Sequence, residues 1–107
     1  MIRQYGFIVK AANYDYKKDC SVLETALFRT KIVGVRSDME AVIVAKDLIH
    51  EGVQVIELCG GFGKKSADKI ISEVNSNVPI GFVTFSEKEE LKLSQLISGE
   101  NEAINQS

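Results

Sequence analysis

Hydrophobic and polar residues follow one another along the chain in blocks that predict strands and helices in turn. Short apolar runs rich in β-branched residues predict four strands, at residues 5–9, 28–35, 53–58 and 78–85. Segments with apolar residues three or four apart predict a helix after each of the last three strands. The polar stretch 13–19 is expected to be a surface excursion, and residues 20–27 are expected to add one or two helical turns.

Polar residues mark where these helices begin and end. Ser37 and Glu40 form a capping box, in which each side chain is expected to bond a free backbone amide of the other residue. Gly52 is expected to end that helix in a left-handed conformation. Ser86 and Glu89 repeat the capping pattern before the last helix.

The alternation predicts an α/β fold: a small, mostly parallel four-stranded sheet with helices packed on it, either flavodoxin-like or a Rossmann-like fragment. The strands are almost continuously apolar, so both faces of the sheet are expected to be covered. A flavodoxin-like order would place the first strand between the second and the third. Residues 1–98 are expected to form a single domain, followed by a polar, fraying tail over 99–107.

Composition excludes several classes of function. The chain has 107 residues, a formal net charge of −2 and no tryptophan, which disfavours binding to nucleic acid. It has no apolar run long enough to span a membrane and no secretory signal pattern, so a cytoplasmic protein is expected. The two cysteines, Cys20 and Cys59, are far apart and are expected to be free thiols. A small sheet with exposed edges favours a homo-oligomer.

A glycine-rich turn between the third strand and the next helix marks the most informative part of the chain. Gly60, Gly61 and Gly63 could present backbone amides to a phosphate or a carboxylate, with Lys64 and Lys65 adding positive charge. A tight turn that needs glycine only for its geometry is an equally good interpretation. The spacing matches neither the P-loop nor the dinucleotide-binding fingerprint.

Glu57 and Cys59 precede this turn and are the candidate catalytic residues. Glu57 interrupts an apolar strand, and residues two apart on a strand share a face, so the two side chains are expected to lie together. Glu57 could act as a general base or accept a hydrogen bond from a ligand, whereas the structural alternative is an ion pair or bonds to a loop. Cys59 could be a nucleophile beside a helix N-terminus, but a cysteine at such a position is more often a core residue.

Other polar groups are expected at the same edge of the sheet, because the carboxyl ends of parallel strands meet there. Lys10 ends the first strand, Thr84 lies near the end of the fourth, and Phe62 sits within the glycine turn. The candidate ligand-binding residues are therefore Lys10, Gly60, Gly61, Phe62, Gly63 and Thr84.

The block from Gly52 to Gly63, with its Ile-Glu-Leu-Cys-Gly-Gly-Phe-Gly motif, resembles a family of small bacterial proteins of unassigned function. The resemblance extends along most of the chain, through residues 5–9, 32–35 and 78–81. The resemblance implies a small α/β domain and identifies no catalytic residue.

Three functional hypotheses remain open at the level of sequence. The first is binding of a small anionic metabolite by the amides of residues 60–63, with Glu57 and Lys10 giving selectivity. The second is a small enzyme that uses Glu57, alone or together with Cys59, for acid/base or thiol chemistry. The third is a structural or regulatory subunit without a ligand. No metal site is expected, since the chain has a single histidine, and the sequence identifies no cofactor.

Overall fold

The structure, a computed structural model, describes the backbone of residues 1–106 and the side chains of residues 1–99. Its elements in chain order are β1 Gln4–Lys10, β2 Cys20–Glu24, β3 Arg29–Val35, α1 Asp38–His50, β4 Val55–Leu58, α2 Gly63–Val74, β5 Ile80–Phe82 and α3 Glu87–Gln106. Ser107 lies outside the described residues, and the division into a domain over 1–98 and a tail over 99–107 stays a prediction. None of the described helices is both long and apolar enough to cross a membrane.

The strands form one sheet in the order β2-β3-β1-β4-β5. β3, β1, β4 and β5 are parallel to their neighbours, and only β2 runs antiparallel. The α/β fold with a mostly parallel sheet is therefore confirmed, and the four parallel strands follow the flavodoxin-like order. The expected count of four strands is wrong, because the sheet has five.

The additional strand is β2, where helical turns were expected. Cys20–Glu24 pairs with β3 as a hairpin, closed by a turn in which the Thr25 amide donates to the Phe28 carbonyl at 2.9 Å. The Thr25 hydroxyl accepts from the amides of Leu27 and Phe28. Leu27, which suggested an apolar helix face, lies at the turn and is 75% exposed. The apolar spacing therefore came from a strand and a turn.

The last strand is shorter than expected, at Ile80–Phe82. Its neighbour β4 has only four residues, and the last bond between them joins the Val83 amide to the Leu58 carbonyl at 3.0 Å. Thr84 and Phe85 extend past the sheet and are exposed.

The helices α1 and α2 cover one face of the sheet and pack against each other there. Strand residues on that face are buried, among them Ile8, Val33, Val35, Ile56 and Leu58. The opposite face, which we call the open face, carries the half-buried strand side chains Tyr5, Phe7, Val9, Thr30, Ile32, Val55 and Glu57. The expectation that helices cover both faces is wrong for the described residues, because a hairpin replaces the first crossover helix.

The first turn of α1 satisfies its own amides. The Ser37 hydroxyl accepts from the Glu40 amide at 3.2 Å, as the capping box predicts. The Glu40 carboxylate reaches one residue further than expected and accepts from the Arg36 amide at 2.9 Å. At the other end of the helix Gly52 has a φ of 104°, which favours glycine.

Candidate functional site

A cavity of about 700 Å³ lies at the carboxyl end of β4 and β5. One wall is the glycine turn with the start of α2, contributed by Gly60, Gly61, Gly63 and Lys64. The opposite side is formed by the end of β5 and one side of α3, contributed by Phe82, Val83, Thr84, Phe85, Glu90, Leu93 and Ile97. The volume lies within the range of about 300–1,000 Å³ that is usual for sites of small ligands.

The backbone angles of the glycine turn are those of an anion-binding conformation. Phe62 has φ −77° and ψ −42°, and the following Gly63 has φ 73°. A right-handed residue followed by one with positive φ is the pattern of a backbone nest, in which successive amides converge on an anion. No side chain caps α2, so its first amides remain available as donors.

Charge at this helix start has the sign that suits an anion. The first turn of α2 contains Lys64 and Lys65 and no acidic residue, although the helix dipole favours negative charge there. Lys64 bonds Asp68 at 2.7 Å, but its side chain is 78% exposed. An exposed pair of this kind contributes little, so Lys64 can turn toward a bound anion at small cost.

The rest of the cavity wall is mainly apolar. Phe82, Phe85, Leu93 and Ile97 present hydrocarbon, and Glu90 is the carboxylate in the lining. The cavity therefore combines donors at one wall with an apolar surface opposite, which suits a ligand with one anionic end and an apolar body.

Lys10 belongs to a second group of residues, at the start of α1. Its ammonium bonds the Asp38 carboxylate at 2.9 Å and lies 5.4 Å from the centre of the Phe62 ring. Burial alone would raise the pKa of Asp38, but hydrogen bonds from Ser66 and Lys10, with the charges of Lys10 and Lys69, hold it below its usual value. Lys10 is therefore already paired within the chain.

Cys59 and Phe62 also lie in this second group. The Cys59 sulfur accepts from the Lys10 amide at 3.3 Å, and the residue packs partly buried against the core. Phe62 is 6% exposed and forms part of the core. Both side chains support the glycine turn from the protein interior, and neither lines the cavity.

Glu57 lies on the open face beside Tyr5. Burial and the Glu57 carboxylate, which accepts from the Tyr5 hydroxyl, raise the pKa of Tyr5 well above its usual value. Cys59 follows the end of β4 and packs partly against the core, and its action together with Glu57 as a catalytic pair stays a prediction.

The structure thus brings four of the predicted residues to one cavity: Gly60, Gly61, Gly63 and Thr84. Lys10, Glu57, Cys59 and Phe62 lie outside its lining. Sequence reasoning missed the apolar wall, which includes Phe85, Leu93 and Ile97. The available signal is the apolar spacing of residues 91–97, which served only to predict the last helix.

A family of unknown function, DUF6506, matches residues 3–98. The chain belongs to this family. No curated protein and no solved structure matches it. All the cavity residues, from Gly60 to Ile97, fall inside the DUF6506 match, so the cavity is formed within the region that defines the family.

Among the described residues of this DUF6506 protein, no three His, Cys, Asp or Glu side chains are grouped closely enough to hold a metal ion. Its described cysteines, Cys20 and Cys59, are free thiols. The cavity is lined by the glycine turn, Lys64, Thr84, Glu90 and apolar side chains.

Proposed function

We propose that this protein binds a small metabolite with one anionic group and an apolar body, in the cavity between the glycine turn and α3. The observation that carries the proposal is the coincidence of two independent features in one place. A nest of uncapped amides at the start of α2 borders a cavity of ligand size.

The anionic group binds at the α2 end of the cavity. The amides of Gly63 and Lys64 supply directed donors, and the dipole of a 12-residue helix adds a positive potential. In the free protein Lys64 and Lys65 make α2 less stable, because they place positive charge at its N-terminus. When an anion binds there, the same two charges attract it.

The apolar body lies against Phe82, Phe85, Leu93 and Ile97. Glu90 disfavours a second anionic group on that side, because like charges repel strongly in a partly desolvated cavity. Monocarboxylates and phosphomonoesters with alkyl or aryl groups therefore fit better than dicarboxylates or bisphosphates. A hydroxyl or ammonium group on the ligand could donate to Glu90.

The test is a thermal-shift series with monocarboxylates and phosphomonoesters that carry alkyl or aryl groups of increasing length. A ligand at about a hundredfold its Kd stabilises the fold by roughly 2.7 kcal/mol, which raises the Tm of a domain this size by about 10 °C or more. We expect the shift to grow with the apolar group and to vanish for the corresponding bisphosphates.

Two variants locate the binding. A Cβ on Gly60 would meet only the Val83 carbonyl oxygen at 3.7 Å, so Gly60→Val is expected to fold while its methyl groups occupy the cavity and abolish the shift. Lys64→Gln is expected to raise the Kd by about 2–5-fold, because it removes one exposed charge beside the anion. Lys46→Gln, on the exposed side of α1, is the matched control and should leave Kd unchanged.

Glu57→Gln separates binding from the enzyme hypothesis. The Glu57 carboxylate lies beside Tyr5 and outside the cavity lining, so the variant should bind normally. Normal binding by both Gly60→Val and Lys64→Gln would show that the cavity is not the site. Normal binding by Glu57→Gln with loss of any turnover found would instead favour the enzyme hypothesis.

A further inference from the structure

The open face is apolar and has no helix on it in the described part of the chain. Its side chains Tyr5, Phe7, Val9, Ile32 and Val55 are only half-buried. Parallel strands occur almost only in sheets that are covered on both faces, because their residues are apolar on both sides. The described part of the chain therefore lacks a layer on the open face, although a parallel sheet is normally covered on both faces.

The same chain carries a helix, α3, with apolar side chains that are largely exposed. Leu96 and Ile97 of α3 are 62% and 51% exposed. The 20 residues of α3 span about 30 Å, long enough to cross four strands spaced about 4.8 Å apart. The radius of gyration is 15.6 Å, above the about 13 Å of a compact domain of this length.

Two glycines in regular elements, Gly81 and Gly99, leave room that nothing in the described part of the chain fills. Gly81 lies opposite Glu57 in the pairing of β5 with β4, and Gly99 lies within α3. A Cβ at either position would meet no atom within 4 Å. Glycine weakens both strands and helices, and in a strand it often marks the close approach of another backbone.

We propose that two copies of this chain form a symmetric dimer in which α3 of each copy lies across the open face of the other. The exchange supplies the missing layer to both sheets and closes on itself, so it does not lead to larger assemblies. Four surfaces of roughly 300–400 Å² each would bury about 1,200–1,600 Å², the size of a standard stable interface.

Charge indicates which side of α3 contacts the open face of the second copy. Glu57 is the only charged strand residue on the open face within the described chain. Lys92 and Leu96 are four residues apart and share one side of α3, which adjoins the side on which Leu93 and Ile97 border the cavity. Lys92 bonds Glu89 of its own helix at 3.1 Å, but both side chains are mostly exposed, so this pair contributes little. When Leu96 packs on the open face of the second copy, Lys92 lies within reach of that copy's Glu57. Leu93 and Ile97 stay on the cavity side of α3, so the contact does not require the proposed ligand.

The test uses analytical ultracentrifugation and native mass spectrometry of the full chain, whose monomer mass is 11.8 kDa. We expect twice that mass for the wild type. Glu57→Lys and Lys92→Glu should each weaken dimerisation roughly a hundredfold or more, because a symmetric dimer contains the repelling contact twice. Leu96→Asp should also give monomers, whereas Leu27→Asp, at the exposed hairpin turn, is the control and should remain dimeric.

Mixing the two charge variants decides the arrangement. In a heterodimer of Glu57→Lys with Lys92→Glu, each α3 meets a face of opposite charge, so both contacts are restored. We expect the mixture to form heterodimers although neither variant dimerises alone. A monomeric wild type, a dimer that survives Leu96→Asp, or a mixture that stays monomeric would each overturn the proposal. A dimer that survives Leu96→Asp would point to the exposed β2 edge as the interface.

Discussion

The ring of Tyr14 occupies the space that a side chain at Gly34 would need. A Cβ built on Gly34 would lie 2.5 Å from Cγ of Tyr14 and 2.7 and 2.8 Å from its two Cδ atoms. Carbon atoms in contact are normally about 3.5–4.0 Å apart. Gly34→Ala must therefore displace the Tyr14 ring from the sheet, since β3 is held on both sides by β1 and β2.

The size of the effect follows from the covered area of the ring. Tyr14 is 36% exposed, so displacement would uncover up to roughly 100 Å² of a side chain that buries about 150 Å² or more when covered. At about 25 cal/mol per Å² this loss is roughly 2–3 kcal/mol. Alanine itself favours a strand over glycine by about 0.5–1 kcal/mol. We therefore expect Gly34→Ala to lower the free energy of unfolding by about 1–2.5 kcal/mol.

A double-mutant cycle tests this reasoning, with urea unfolding followed by circular dichroism. Once Tyr14→Ala has removed the ring, Gly34→Ala should stabilise the protein by about 0.5–1 kcal/mol, because only the strand preference of alanine remains. The two substitutions should thus be coupled by roughly 2–3 kcal/mol. An equal effect of Gly34→Ala in both backgrounds would refute the role assigned to Tyr14.

Two further predictions concern the start of α1. The pKa of Asp38 is lowered in the folded state, so its contribution to stability is present above its unfolded pKa of about 4 and is lost as the pH falls through the folded pKa. Asp38→Asn should therefore flatten the dependence of Tm on pH below about 4. Ser72→Ala, which removes no titratable group from α2, should leave the steeper acid dependence in place. Ser37→Ala removes the hydrogen bond to the Glu40 amide and should lower the free energy of unfolding, measured in urea, by about 1 kcal/mol. Ser72→Ala, at an exposed position within α2, is the control and should be neutral or slightly stabilising. Equal losses of stability in the two variants would contradict the capping role of Ser37.

The helices and the edge of the sheet that holds the cavity were predictable because their signals are local. Ser37 and Gly52 specify the ends of α1 through their own side chain and backbone. The glycines after β4 locate the turn, and parallel topology then brings them to the same edge as Thr84. These inferences need only the neighbouring residues and the rule that parallel strands end together.

The features that the sequence did not reveal depend on contacts between distant segments. Residues 20–27 have apolar spacing that suits either a short helix or a hairpin, and pairing with β3 decides between them. The open face has the same apolar pattern that a covered face would have, so periodicity cannot distinguish the two. The sequence makes Lys10 a candidate ligand-binding residue at the strand end, but Asp38, 28 residues further along the chain, pairs with it.

The contrast between the two helix starts gives the strongest reason to look for a ligand at α2. Both α1 and α2 begin at the carboxyl edge of the sheet, and both leave amides that need acceptors. The chain satisfies those of α1 with Ser37 and places Asp38 and Glu40 in its first turn. At α2 it places glycines and lysines instead, with no side-chain cap. Solvent can satisfy such amides, but it does not explain why the destabilising charges border a cavity with an apolar wall. A bound anion with an apolar body accounts for the amides, the lysines and the wall together.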